Sequence, residues 1–200
     1  MKVIKLEPYS GEANTFAVTA DGKNCILIDC AGEGLIERLS ALNLTPKAVL
    51  LTHGHFDHVG GTAEFSASGV SIYCSAKEKD FIFSKENRSV FGGVYIPEFT
   101  AEGVLKDGNF SVADLNIKVI ETPGHTAGSL CFMIENRLFT GDTLFRGSVG
   151  RCDLPTGNFT RLKDSLKKLS ALDGDFTLYC GHGAETTLER ERKYNPYMQV

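Results

Sequence analysis

The longest apolar runs in the sequence, such as AVLL over residues 48–51, fall far short of the roughly 20 residues a membrane-crossing helix needs. No membrane partner is expected. The opening MKVIKLEPYSGE has no apolar signal core followed by a small-residue cleavage site, so the protein is read as cytoplasmic. Positive charge is not in excess. The 21 Lys and Arg against 25 Asp and Glu leave a net charge of −4, which disfavours a chain that tracks phosphate backbones through clustered Lys and Arg. No nucleic-acid partner is expected, a small-molecule substrate is, and oligomeric state is not legible. None of the six cysteines (Cys25, Cys30, Cys74, Cys131, Cys152, Cys180) forms a C-x-x-C pair, and without a secretory mark they read as reduced structural thiols. Cys25, Cys74 and Cys131 sit in apolar strand-like runs, where cysteine acts as a small hydrophobe. Cys152 stands apart, beside Arg151 in a glycine-rich stretch. Serines occur, but none in a G-x-S-x-G elbow, so no serine nucleophile is indicated.

What is present reads as a soluble globular chain, with 42% hydrophobic and 23% charged residues. Its 200 residues predict one domain over 1–200, and a chain of that size buries roughly 70% of its unfolded surface. KVIKLEPY reads as a strand with a loop at Ser10-Gly11. TFAVTA and NCILIDC flank Asp21-Gly22 as a hairpin. GLIERLSALNL places Leu35, Ile36, Leu39 and Leu42 at helical spacing, and KAVLL reads as a short strand. A short helix follows Gly60-Gly61 and ends near Gly69, then comes the strand VSIYC. KEKDFIFSKEN reads as one helix. Strands return from about Val104, with NIKVIET, then SLCFMIE turning at Glu135-Asn136 into RLFTGD. In NFTRLKDSLKKLSAL, Phe159, Leu162, Leu166 and Leu169 form an apolar face, capped by Asn158 or Thr160. FTLYCGHG is a last buried strand, and ERERKYNPYM reads as a solvated helix end. Strands with helices interspersed, twice over, predict two packed sheets with helices outside.

Histidine is scarce, with five in the whole chain, yet LLTHGHFDHVGG places three of them and an aspartate within residues 53–58. On extended chain His53 and His55 point to one side and can reach one ion. Asp57 and His58 follow where the chain turns into a helix and can serve a second ion. Gly54 and Gly60-Gly61 let the backbone fold tightly around such a site. Four potential ligands in six positions read as a metal site rather than a hydrogen-bonded helix entry. His125 in ETPGHTAGS, His182 in YCGHGAE and Asp142 in LFTGDTLF each follow an apolar strand. Scattered core or surface histidines would not share that context.

In order, THGHFDH, TPGHTAGS, FTGDTLFRGSVGRCDLP and GHGAETTLERERKYNPY resemble the motifs of the metallo-β-lactamase superfamily. The match is nearest to its glyoxalase II-like branch, the hydroxyacylglutathione hydrolases, and runs from about Asp29 to Pro196. The resemblance implies an α/β fold, a four-layer αβ/βα sandwich with two divalent metals at one edge: zinc first, with iron and manganese also suited to these ligands. It implies that His53, His55 and His125 hold one ion and that Asp57, His58 and His182 hold the other. Asp142 then bridges both, and Asp29 steadies the ligand loop from behind. A metal-bridging hydroxide, oriented by Asp57, would attack the carbonyl of a thioester such as a hydroxyacylglutathione. Arg151 is a candidate contact for an anionic substrate or for Asp153. Long glyoxalase II enzymes add a helical C-terminal domain that supplies much of the glutathione contact, whereas this sequence ends at Val200. The thiol carrier is therefore open. The rival enzyme reading is a mononuclear-iron persulfide dioxygenase using His53, His125 and Asp142, against which GHGAETT argues. A non-catalytic metal-binding protein of the same fold would show a lost ligand, and all seven positions are filled.

Overall fold

Residues 1–6, 13–90 and 92–199 are described by the structure, a computed structural model. Period-two burial sets its layers. Along β2 (Thr15–Thr19), Phe16 and Val18 enter one apolar core and Ala17 another; β3 (Asn24–Ile28) divides Ile26 and Ile28 from Cys25 and Leu27 in the same way. Strands buried on both faces read as continuous apolar runs, which is why NCILI carries little polar alternation. With β1 (Lys2–Leu6), β4 (Thr45–Leu50) and β5 (Ser71–Tyr73) they form a sheet ordered β1-β2-β3-β4-β5.

The second sheet has six strands among the described residues, ordered β11-β10-β9-β8-β7-β6. They are β6 (Gly108–Val112), β7 (Leu115–Glu121), β8 (Leu130–Ile134), β9 (Arg137–Gly141), β10 (Thr177–Cys180) and β11 (Thr186–Thr187). Phe132, Phe139 and Val119 meet Phe16, Val18 and Ile28 in the core between the sheets. There Phe139 lies 5.6 Å from Phe16 and 5.0 Å from Tyr179, ring centre to ring centre. The opposite face of the first sheet packs on Leu35 and Leu39 of α1 (Leu35–Ala41) and Phe65 of α3 (Thr62–Ala67). Leu162, Leu166 and Leu169 of α6 (Phe159–Ser170) cover the second sheet beside Leu138 and Leu178. The layers run helix, sheet, sheet, helix: an αβ/βα sandwich. No helix among the described residues is long and apolar enough to cross a membrane.

Connectivity places the loops that matter. Antiparallel hairpins open each sheet, and helical crossovers then make β3–β4, β4–β5 and β9–β10 parallel. The loops after β3, β4, β7, β9 and β10 meet at one edge, where both sheets contribute.

Several expectations are corrected by this arrangement. KEKDFIFSKEN is two helices, α4 (Ala76–Phe81) and α5 (Lys85–Val90). Ser84 Oγ accepts from the Asn87 N–H, 3.1 Å, and starts the second helix. Phe159 is 47% exposed with Lys163 over its ring, because it stands at the first turn of α6, before the helix reaches the core. Asn158, not Thr160, caps that helix, accepting from the Arg161 N–H at 3.0 Å. Leu42 lies past the end of α1 and is exposed, and Leu44 fills the core instead. ERERKYNPYM is not merely solvated: within α7 (Leu188–Tyr194) Glu191 is buried and accepts hydrogen bonds from Thr186, Gly147 and Asn195. The strand expected over KVIKLEPY is observed to Leu6, and its end and the Ser10-Gly11 loop lie outside the described residues.

Candidate metal centre

His53 and His55 lie on extended chain after β4, and Asp57 and His58 sit in α2 (Phe56–Val59), a single helical turn. His125 follows β7, Asp142 directly follows β9, and His182 follows β10. Five segments thus bring seven side chains together. His125 Nε2 stands 2.9 Å from His55 Nδ1 and 3.2 Å from His53 Nε2. His182 Nε2 stands 3.0 Å from Asp57 Oδ2, and His58 Nε2 is 3.9 Å from that same oxygen. Asp142 lies between the two groups. Its Oδ1 is 3.2 Å from His58, and its Oδ2 is 3.5 Å from His125 and 3.6 Å from His182.

Nitrogens bound about 2.0–2.1 Å from one tetrahedral ion sit about 3.3 Å apart. The His53–His125 separation of 3.2 Å matches that spacing, and the His55–His125 separation of 2.9 Å is a few tenths of an ångström shorter. Hydrogen bonds on the far ring atoms decide which nitrogens face inward. His125 Nδ1 lies 2.6 Å from the Arg151 carbonyl, so it carries the proton and Nε2 presents a lone pair. Thr52 Oγ1 spends its proton on Asp29 Oδ2, 2.7 Å, so His53 Nδ1, 3.1 Å away, donates to that hydroxyl and its Nε2 is also a lone pair. Two lone pairs facing each other at 3.2 Å repel unless a cation lies between them. His58 Nε2 and Asp142 Oδ1 are buried 3.2 Å apart and meet no hydrogen-bond partner besides each other, a pairing that metal ligands on one ion also show. The donor set fits divalent metal: among the described residues His53, His55 and His125 form one group, Asp57, His58 and His182 another, and His53, His58 and Asp142 a third that joins them.

The electrostatics follow from burial and from these neighbours. Burial, then the charge of His58 and His125, pushes His53 well below the ordinary histidine value, and burial and His125 bring His55 down to about 3. Burial also lowers His125. Neutral histidines are the form that binds metal. Burial disfavours charge on His58, yet Asp142, Asp29 and Asp57 outweigh it and raise its pKa. Burial likewise opposes ionisation of Asp57 and Asp142, and His58 and its neighbours hold both below the carboxylate range. His182 is raised by its hydrogen bond to Asp57.

Support from behind fixes the ring orientations. Asp29, after β3 and at φ 59°, accepts from the Thr52 N–H (2.7 Å), the Thr52 hydroxyl (2.7 Å) and His58 Nδ1 (2.7 Å). Gly181 is required by close approach: a Cβ there would strike Asp142 Oδ1 and His58. Asn14 was not singled out by sequence reasoning. Its Nδ2 donates to the Cys180 and Gly183 carbonyls and ties the first sheet to the His182 loop. Glu78 and Asn87 were also missed. Glu78 stands three and four residues before Phe81 and Ile82, on the apolar face of α4, and a glutamate on such a face is the signal that marks it. Arg151 turns its guanidinium to Asp153, with two contacts of 2.8 and 2.7 Å, while its carbonyl orients His125. The Cys152 thiol is raised by burial and Asp153. Beside Asp57 a cleft of about 630 Å³ opens, walled by Phe56, Val94, Tyr95 and Pro97 with Glu33 at its rim.

The sequence profile of the metallo-beta-lactamase superfamily matches residues 9–182. The chain is similar to the hydroxyacylglutathione hydrolase GloC of Haemophilus influenzae, 36% identical over 94% of this chain and 93% of that protein. Its structure is similar to that of BLEG-1 B3 metallo-beta-lactamase (TM-score 0.93, 29% identical, all of both chains). It is also similar to TTHA1623, solved in a di-iron-bound form (TM-score 0.84, 32% identical, 98% of this chain and 100% of that one).

Proposed function

This chain belongs to the metallo-β-lactamase superfamily as a glyoxalase II-like member, and from that membership we propose that it is a metal-dependent hydrolase of small acyl-thiols such as a hydroxyacylglutathione. The observation that carries the reading is the pair of ligand groups that share Asp142 as a common neighbour. His53, His55 and His125 would hold one divalent ion, and Asp57, His58 and His182 the other, with Asp142 serving both. Zinc suits these donors, as do iron and manganese, and a di-iron form of a similar protein keeps iron in view. Such ions would supply Lewis acidity and lower the pKa of a bound water.

The chain's own residues do the rest. Asp57 faces the cleft, where its carboxylate would accept a hydrogen bond from the attacking water and orient it. Phe56, Tyr95 and Pro97 offer apolar surface to an acyl-thiol, in a cleft within the range that small-molecule sites occupy. Thiolate leaves readily, so no general acid is required at the sulfur. Arg151 is already paired with Asp153, so substrate contact by its guanidinium would require that pair to open. Six cysteines with none paired support a reducing, cytoplasmic setting.

Metal content per chain, read beside three activities, tests the reading. Two metals with hydrolysis of S-lactoylglutathione are expected. One iron with oxygen uptake on glutathione persulfide would overturn it in favour of the dioxygenase. Turnover of a β-lactam without thioester hydrolysis would overturn it in favour of a β-lactamase, the activity for which the similar BLEG-1 is named.

A further inference from the structure

Behind the three-histidine group lies a carboxylate that the proposed reaction does not use. Glu78, on α4, is 1% exposed. Its Oε2 accepts from the Gly54 N–H at 2.6 Å. Its Oε1 accepts from the Gly128 N–H at 2.9 Å and from the Thr126 hydroxyl at 2.8 Å. Gly54 separates His53 from His55; Thr126 and Gly128 flank the turn that follows His125. One side chain therefore holds two loops that are distant in sequence and that together present three nitrogens to one point.

The neighbourhood is shaped around this contact. A Cβ at Gly54 would come within 2.9 Å of Glu78 Oε2, and one at Gly128 within 2.6 Å of Oε1. Glycine at both positions lets the backbone donors reach the carboxylate. Asn87 completes the hold on Gly54, donating from Nδ2 to its carbonyl at 2.7 Å and to the Ile82 carbonyl at 2.9 Å. Both polar groups of Gly54 are thus fixed from α4 and α5. Ser75 Oγ donates to the Gly128 carbonyl at 2.9 Å and fixes the other loop from the same helix end. Burial pushes the Glu78 carboxyl up, and the donors of Thr126, Gly54 and Gly128 pull against that. The three donors that meet its oxygens match the charged form, and charge-assisted bonds are the stronger kind.

We propose that Glu78 is a positioning residue: by clamping the loops of His53, His55 and His125 to α4, it sets the metal affinity of that three-histidine group without touching the ion. The proposal rests on the ligand assignment made above and not on the reaction. The histidines after β4 sit two residues apart on irregular, glycine-containing chain, and His125 approaches from the other sheet. Each must stand within a fraction of an ångström of its working position to meet one ion. The clamp removes the freedom that would otherwise be lost on binding. It acts on one group only, because Asp57, His58 and His182 are held by α2, Asp29 and the loop after β10.

Glu78→Gln keeps the volume and turns an N–H₂ group toward donors. The test titrates metal-free protein with Zn²⁺ against a chromophoric chelator in two backgrounds. His182→Ala leaves the three-histidine group intact, and His55→Ala leaves the other. Glu78→Gln is expected to weaken Zn²⁺ binding about 10–100-fold in the first background and to change it by less than about 2-fold in the second. A purely structural role would loosen both groups together. Equal weakening in both backgrounds, or none in the first, would overturn the proposal. If Glu78→Gln does not fold, Thr126→Val removes one donor at constant volume and is read in the same two backgrounds, with the same selective loss expected and the same outcomes overturning it. Failure of both backgrounds to bind Zn²⁺ would overturn the ligand assignment and the clamp with it. Failure of thioester hydrolysis alone would leave these affinities as they stand.

Discussion

Asp29→Asn separates hydrogen bonding from every other contribution of this residue. Position 29 has φ 59°, in the left-handed region that asparagine enters as readily as aspartate. The substitution therefore adds no backbone strain, and volume is unchanged. What changes is the donor count. In the native site one oxygen accepts from the Thr52 N–H and the other from both the Thr52 hydroxyl and His58 Nδ1. An asparagine amide can serve only one of those sides. With its oxygen toward His58, the N–H₂ faces the Thr52 N–H; flipped, it faces the His58 N–H and the Thr52 hydroxyl. One or two bonds to a charged acceptor are lost, each worth about 1.5–3 kcal/mol, so the loss is about 1.5–6 kcal/mol. In a chain of this size a kilocalorie moves the melting temperature by about 2–4 °C, giving a drop of about 3–24 °C for the metal-free protein. His58 also loses the partner that fixes its tautomer, and metal affinity should fall about 10–100-fold. Calorimetry of metal-free protein and chelator competition read the two effects. A variant that melts within about 1 °C of the native chain and holds metal as tightly would refute the role given to Asp29.

Acidification from about pH 7 to about pH 4 should destabilise the metal-free protein. His53, His55 and His125 sit below their unfolded value of 6.5, so there the unfolded chain binds more protons and stability rises with pH. Asp57 and Asp142, lowered from 3.8, act in the same sense at the acid end, losing their contribution as pH falls through their folded values. His58 and His182 are raised; their contribution is full below 6.5 and is lost as pH rises, so they oppose the three. A melting temperature that is flat or rises toward pH 4 would contradict this balance. His182→Ala, at the more open side of the site, should reduce bound metal from two ions to one per chain by elemental analysis, with little change in the fold by circular dichroism. Arg151→Ala removes an exposed ion pair and should cost less than about 1 kcal/mol; a large rise in KM would show that the guanidinium leaves Asp153 to meet substrate. Phe139→Ala should cost about 3–5 kcal/mol in denaturant unfolding, because its ring is fully buried against Phe16 and Tyr179 in the core between the sheets.

The layered fold was legible because its strands are buried on both faces and its main helix carries one apolar stripe. NCILI and LCFMI read as interior strands, and the spacing of Leu162, Leu166 and Leu169 reads as the apolar face of a helix, and each is found so. Errors fell where one residue outweighs a pattern. Ser84 is a helix start hidden inside a charged run that otherwise reads as continuous helix. Phe159 has the right spacing for the apolar face, but it stands at the first turn, where geometry and not periodicity decides contact.

The candidate site divides along a different line. Residues that bind an ion come from a few types, histidine, carboxylate and cysteine, and the clustering of the first two in residues 53–58 makes them conspicuous. The residues that hold those side chains in place need only meet a backbone donor or carbonyl, which every position offers, so no spacing marks them. Asn14, Glu78 and Asn87 reach Cys180, Gly183, Gly54 and Gly128 across 24 to 169 positions of sequence. What did betray Glu78 is a contradiction between chemistry and place: a charge on the buried face of a short helix, beside Phe81 and Ile82. Such a charge is costly unless it is hydrogen-bonded. Its presence there implies donors that the sequence does not show. In this chain those donors belong to the two loops that present His53, His55 and His125.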